Sequence, residues 1–409
     1  MLGSHTRSLP LVLTAFALLL PLVLSFSKLS DDTLRNIADP GNDFDIYNGA
    51  LLAPILKPRV PGSQGSLEVL QHFVDFFSKE LPEWRLTYQN STQKVVALGG
   101  RQVTFVNLIA TRDPPGSNIG DVGRLALVAH YDSKMTPSGF IGAVDSAAPC
   151  AMLMHAARSI DSALTKKWSS RNEDDDLERG LEAEKGIQII LLDGEEAFIQ
   201  WTEDDSLYGA RSLAAEMEAT FHPATSTFKS EISSISLFLL LDLLGARNPT
   251  IPSYFKTTHW AYESMAELEV RLRSLYQFKS SPNHPSKRLV SYRDAKARQD
   301  KVRAEPLFLP EAGKPDNQFR TPFVGDDHIP FMARGVDILH MIPIPFPHVW
   351  HTMEDDGEHL DLDTVEDWAK LVTAFAAEWM DLEGHFDIKI KKPRDVGTEG
   401  SSVISKTEL

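Results

Sequence analysis

Apolar residues along this 409-residue chain follow two rhythms. Short, nearly continuous apolar runs occupy residues 124–129, 187–192, 235–243 and 336–342, and such runs predict strands buried on both faces of a sheet. Between and after them the spacing changes to a helical period over 145–160, 206–221, 259–278 and 362–382. Residues 85–111, with Gly99-Gly100 between two β-rich stretches, predict an antiparallel hairpin joined to the sheet. The expected fold class is α/β: a single globular domain with a central mixed, mainly parallel sheet flanked by helices.

Polar stretches interrupt this pattern. Residues 166–186 contain Glu173-Asp174-Asp175-Asp176, a charge run that predicts a solvated loop. Residues 280–320 are rich in Pro, Lys and Arg with little apolar periodicity, which predicts a long surface loop. One globular domain is expected over 30–385, followed by a polar tail over 386–409.

The first residues have a different character. His5 and Arg7 precede an apolar run over 9–24, and small Ser25 and Ser27 follow, the order of a secretory signal over 1–25. The run is short for a spanning helix and Pro21 interrupts it, so an uncleaved anchor is the alternative to cleavage near Ser25. Either way the remainder faces a lumen or the exterior, which places the chain in the secretory pathway, secreted or in the lumen of the endoplasmic reticulum or Golgi. Asn90-Ser91-Thr92 is then a usable glycosylation sequon, whereas Pro249 blocks Asn248-Pro249-Thr250. Lys406-Thr407-Glu408-Leu409 is one substitution from a retrieval signal.

Charge and cysteine count narrow the chemistry. With 41 Lys and Arg against 57 Asp and Glu, the net charge of −16 argues against a nucleic-acid partner, which needs a basic face. A single cysteine, Cys150, allows neither an intrachain disulfide nor a multi-cysteine zinc cluster. Any metal is therefore held by His, Asp and Glu.

Those residue types gather where the buried runs end. The first run stops at His130-Tyr131-Asp132-Ser133 and the second at Asp193-Gly194-Glu195-Glu196, while the third carries Asp242. In a parallel sheet these positions share one edge, where α/β proteins place ligands. Asp145 opens the next helical stretch and Trp350-His351 follows the last strand. Each has an ordinary reading as well. Asp145 fits a helix cap, the two glutamates fit a solvated loop, and a lone histidine is often only hydrogen-bonded. Asp242, inside Leu239-Leu240-Leu241-Asp242-Leu243-Leu244, is harder to explain without a partner, because burying a lone carboxylate costs several kcal/mol. As a set, Asp145, Glu196 and His351 suit a catalytic zinc site of three N/O ligands with one open position.

These blocks carry a resemblance. Val128-Ala129-His130-Tyr131-Asp132-Ser133, Gly142-Ala143-Val144-Asp145-Ser146, Leu192-Asp193-Gly194-Glu195-Glu196, Asp205-Ser206-Leu207-Tyr208-Gly209, Leu241-Asp242-Leu243-Leu244-Gly245, Asp326-Asp327-His328-Ile329-Pro330-Phe331 and Pro345-Phe346-Pro347-His348-Val349-Trp350-His351 closely resemble the glutaminyl-peptide cyclotransferases, a branch of the two-zinc aminopeptidase clan M28. The resemblance runs from about Arg59-Val60-Pro61-Gly62 to the helix ending near Leu382. It implies zinc-dependent cyclisation of an N-terminal glutamine to pyroglutamate with release of ammonia. It also implies one zinc per chain on Asp145, Glu196 and His351, with Glu195 as general acid and base. Asp242 and Asp326 match the acidic pair of the proton network, and Trp201, Phe346 and Trp350 match the aromatic walls of the substrate pocket. Expected partners are peptides and proteins with N-terminal glutamine, acted on by a monomer. One departure stands out: animal members pair the cysteine at the position of Cys150 with another just before the HYDS motif, where this chain has Ala129, so Cys150 is expected to be a small buried hydrophobe.

Two other classes compete. A two-zinc aminopeptidase would use the five-residue set His130, Asp145, Glu196, Asp242 and His351. A non-catalytic scaffold would require lost ligands, and none is lost.

Overall fold

The computed structural model describes residues 27–170, 184–288, 303–319 and 324–387. The expected signal or anchor, the acidic run 173–176, the terminal 406–409 and all but the first two residues of the polar tail lie outside the described residues.

The hairpin forms as expected, from β1 (Arg85–Val95) and β2 (Arg101–Arg112). It is joined to the four apolar strands β3 (Val122–His130), β4 (Glu184–Leu192), β5 (Ile235–Leu241) and β6 (Ile338–Met341) in one sheet of order β1-β2-β4-β3-β5-β6. The β4, β3, β5 and β6 strands run parallel, while β2 is antiparallel to β4. Successive side chains of a strand point to opposite faces, and both faces are covered here. Leu125, Leu127, Leu237 and Leu239 belong to one core, and Ala126, Val128, Phe238 and Leu240 to another. That is why these strands read as continuous apolar runs rather than alternating ones.

Seven α-helices are described: α1 (Asp31–Asn36), α2 (Gln64–Glu80), α3 (Ala148–Ser169), α4 (Tyr208–Ala219), α5 (His259–Ser274), α6 (Ile329–Met332) and α7 (Leu362–Trp379). The larger core holds residues of α3, α5 and α7, and the smaller holds residues of α4. Caps set their starts: Ser63 Oγ accepts the N–H of Ser66 in α2, and the Asp361 side chain accepts that of Thr364 in α7. Val69, Phe73, Phe76 and Phe77 bury one stripe of α2, a helical period beyond those drawn from the sequence. No helix among the described residues is long and apolar enough to cross a membrane.

Three expectations are corrected. First, α3 begins at Ala148 rather than at Asp145, because Asp145 and Ser146 adopt non-helical φ/ψ of −119°/72° and −131°/46°. Second, β5 ends at Leu241, so Asp242 is the first residue past the strand rather than inside it. Third, the stretch 280–320 is not simply a surface loop. Phe308 and Leu309 are buried, the Phe308 ring stacks on Trp368 at 5.2 Å, and Glu269 accepts both their N–H groups. An apolar run as short as Leu307-Phe308-Leu309 shows no period, so its burial is invisible in the sequence.

Candidate active site

The carboxyl ends of β3, β4, β5 and β6 point to one edge of the sheet, and the candidate residues sit there. His130 is the last residue of β3. After β4 the chain turns sharply at Gly194, whose φ is +76° and where an added Cβ would meet the Phe105 ring at 2.4 Å, so only glycine fits. This turn delivers Glu195 and Glu196. Their backbone N–H groups are accepted by the two oxygens of Asp132 at 3.0 and 3.1 Å. Further along, Asp205 accepts the N–H groups of Phe198, Ile199 and Gln200, which holds the loop leading to Trp201.

The Asp145 loop is held by Arg59, which is fully buried. Its guanidinium donates to the carbonyls of Tyr131, Ile141, Gly142 and Asp145. From the other side, Asp355 accepts the Val144 N–H at 2.7 Å. His351 has φ +58°, a left-handed conformation that a non-glycine residue keeps only when its surroundings enforce it. The Trp350 ring stacks on the His351 imidazole at 4.0 Å, and Phe346 meets Trp350 edge-on at 4.8 Å.

Together these elements line a cleft of about 410 Å³. Every site residue expected from the sequence except Asp326 lines it. Trp201 and Trp350 are 41% and 39% exposed, so large rings stand open at its wall. Within it, His351 Nε2 lies 3.5 Å from Asp145 Oδ2 and 3.7 Å from Glu196 Oε1. Both carboxylate oxygens are buried and have no hydrogen-bond partner. Two orphaned anionic oxygens converging on an imidazole nitrogen are what a divalent cation would satisfy, so these residues fit a zinc ion.

The second set, His130, Asp145 and Asp242, also brings its ligand atoms together. Its members are largely satisfied by one another. His130 Nε2 is 3.0 Å from Asp145 Oδ1 and 3.4 Å from Asp242 Oδ1, and the latter oxygen also accepts from Ser146 Oγ and the Leu243 N–H. This cluster leaves fewer unmet charges for a second cation than the first does.

The electrostatics follow from crowding carboxylates out of water. Burial, reinforced by the charges of Glu196, Asp326 and Asp327, pushes Glu195 well above the usual carboxylate range, with His130 opposing. Glu196 is likewise pushed up by burial and by Asp145, while Lys134 Nζ, 3.2 Å away, acts the other way. Burial would also raise Asp145, but the hydrogen bond with His130 and the nearby His351 imidazole outweigh it and hold Asp145 below the ordinary value.

Asp242 and Asp326 are both raised by burial, and the Asp326 charge raises Asp242 further. No hydrogen bond joins them among the described residues. Asp326 Oδ2 instead faces His340 Nε2 at 2.7 Å, and its Oδ1 accepts the Asp327 N–H. Residues that sequence reasoning did not single out do much of the positioning: Arg59, Asp132, Asp205, His340 and Asp355. All but His340 and Asp355 lie within the quoted blocks, yet nothing in a short polar motif separates a backbone clamp from a catalytic group. Cys150 is buried on α3 as expected, its thiol donating to the His130 carbonyl.

Residues 107–376 match peptidase family M28. The glutaminyl-peptide cyclotransferase of Gloydius blomhoffii is 39% identical over 338 residues, 81% of this chain and 80% of that protein. The Bos taurus glutaminyl-peptide cyclotransferase is 34% identical over 358 residues, 87% of each chain. Among solved structures, Macrostomum lignano glutaminyl cyclase aligns with a TM-score of 0.65 at 26% identity, over 87% of this chain and 95% of that one.

Proposed function

The chain belongs to peptidase family M28 and, within it, to the glutaminyl-peptide cyclotransferases, and on that premise we propose that it converts the N-terminal glutamine of peptides and proteins to pyroglutamate, releasing ammonia. The observation that carries this reading is the place of Glu195: it lines the cleft beside Asp145, Glu196 and His351 without belonging to that trio. The trio would hold one zinc ion per chain, which supplies a Lewis acid that polarises the γ-carboxamide carbonyl of the glutamine.

The remaining work falls to side chains. The substrate's own α-amine nitrogen forms a bond to the γ-carboxamide carbon, and the bond from that carbon to the amide nitrogen breaks. Glu195 takes the proton that the amine gives up and returns it to the departing nitrogen, which leaves as ammonia. A carboxylate raised by burial is suited to both halves of that transfer, because it holds a proton more firmly than one in water. Asp242, which lines the cleft, holds a proton-bearing nitrogen of the substrate near Glu195, and Asp326, outside the cleft lining, acts through its charge on Asp242 and Glu195. Trp201, Phe346 and Trp350 shield the reacting atoms from water, which favours ring closure over hydrolysis. The cleft keeps amine and carbonyl together, so closure proceeds at high effective concentration.

In the same reading the protein acts as a monomer in the secretory pathway. Its signal over 1–25 is removed, and Asn90, exposed on β1, is available for glycosylation. Incubating purified protein with a Gln-initiated peptide and measuring the product mass tests the function. Loss of ammonia supports cyclisation, whereas loss of a whole residue supports the aminopeptidase reading.

A further inference from the structure

The reacting glutamine folds back on itself, so the rest of a peptide substrate has to leave the cleft past its walls. One of those walls, Phe346, also lines a second cavity of about 670 Å³ at the same end of the sheet. This volume is in the range of sites that bury a ligand. Pro249, from the segment after β5, and Pro343, Pro345, Pro347 and Val349, from the segment after β6, give the cavity an apolar lining.

The charged residues around it are already paired, and Asn248, Thr250 and His348 complete its polar lining. Arg247 donates to Asp361 at 2.6 Å, Glu358 accepts from the Tyr47 hydroxyl, and His359 Nδ1 is 2.7 Å from Asp356. Prolines at alternate positions also offer no N–H to a bound backbone. Contact with apolar side chains, rather than charge or a backbone ladder, is what the proline-rich part of this surface provides.

We infer that this groove is the subsite for the peptide chain that follows the reacting glutamine, taking an extended segment with apolar side chains from its third residue onward. The assignment rests on the cyclotransferase reading and on the wall that groove and cleft share at Phe346. An extended chain advances by about 3.3 Å per residue, so a short peptide crosses from one space to the other. A groove without charge selection suits many sequences and grades them by apolar content.

The test compares three Gln-initiated substrates: a dipeptide amide, a hexapeptide with Leu at positions three and four, and the same hexapeptide with Ser there. The Leu hexapeptide is expected to exceed the dipeptide by about tenfold in kcat/KM, chiefly through KM, as shielding about 60 Å² of apolar surface would give. The Ser hexapeptide should stay near the dipeptide. Thr250 and His348 are exposed and line the groove. Thr250→Trp and His348→Trp should each narrow it and bring the ratio of Leu hexapeptide to dipeptide towards one. Each ratio is internal to one variant, so altered folding or metal content cancels. Brisk dipeptide turnover with a ratio near one in the unaltered chain, or an unchanged ratio in both variants, would overturn the groove assignment alone. No turnover of any of the three would overturn the cyclotransferase reading and the groove with it.

Discussion

Asp132 and Glu195 are joined by a 3.0 Å hydrogen bond from the Glu195 backbone N–H to Asp132 Oδ1, while Oδ2 of the same carboxylate holds the N–H of Glu196 at 3.1 Å. Asp132 is fully buried, so this two-oxygen clamp has no water to replace it. Asp132→Asn presents an N–H where one oxygen was, leaving a backbone donor facing a donor. A loss of about 1–3 kcal/mol of stability is expected, with a larger fractional loss of turnover than of bound metal. Thermal melting, kinetics and elemental analysis on the same preparation check this, and unchanged melting and turnover would contradict the clamp.

On the proposed reading the two clamped residues do different jobs. Glu195→Gln should keep the metal and lower kcat by roughly 10²- to 10⁴-fold, because only proton transfer is removed. Glu196→Gln should weaken metal binding itself, because it neutralises one of the converging ligands. Zinc titrations of both variants decide it: metal loss in the first and retention in the second would reverse the roles.

The converging donors are oxygen and imidazole, with no thiolate, so heterocyclic chelators should strip the metal and abolish activity, and added zinc should restore it. The stripped protein should also melt at a lower temperature, because the ion binds the folded state. Two tightly held zinc ions per chain by elemental analysis would instead support the peptidase arrangement.

Asp242 and Asp326 interact through repulsion across the site and not through a direct hydrogen bond. Each change to Ala should cost orders of magnitude in turnover with zinc occupancy near normal. The double change should cost less than the sum of the two, since removing either charge relaxes the other. Strictly additive losses would show two independent roles.

His155 gives a pH dependence away from the site. Burial pushes its imidazole down to about 4, and its Nε2 lies 3.1 Å from the Ala38 carbonyl. As pH falls below the ordinary value near 6.5, the unfolded chain takes up the proton first. Stability is then lost between about pH 6.5 and 4, by at most roughly 3 kcal/mol. Urea unfolding at neutral pH and near pH 4.5 should show this loss, and it should shrink in His155→Gln. An equal acid loss in that variant would assign the effect to other groups.

Much of this was legible in the sequence. Strands covered on both faces announce themselves as unbroken apolar runs, and their polar ends mark the site edge. The proposed ligand trio was legible only as separate blocks, because Asp145, Glu196 and His351 meet through the fold and not through local spacing. What stayed hidden is the support: Arg59, Asp205 and Asp355 act on backbone groups, which leave no side-chain signature. The start of α3 was misplaced for a related reason. An aspartate before a helical run looks like a cap, yet the non-helical backbone at Asp145 and Ser146 holds that carboxylate in the cleft instead.

Arg59 stands 48 positions before the first residue of the stretch that matches the M28 family, taking 107 from that match and 59 from its own number. Its side chain nevertheless ties together Tyr131 at the end of β3 and the turn that presents Asp145. A fragment cut to residues 107–376 would therefore keep all three proposed metal ligands while discarding the brace that holds the turn carrying one of them. The stretch that carries the family match is thus shorter than the stretch that builds the proposed site.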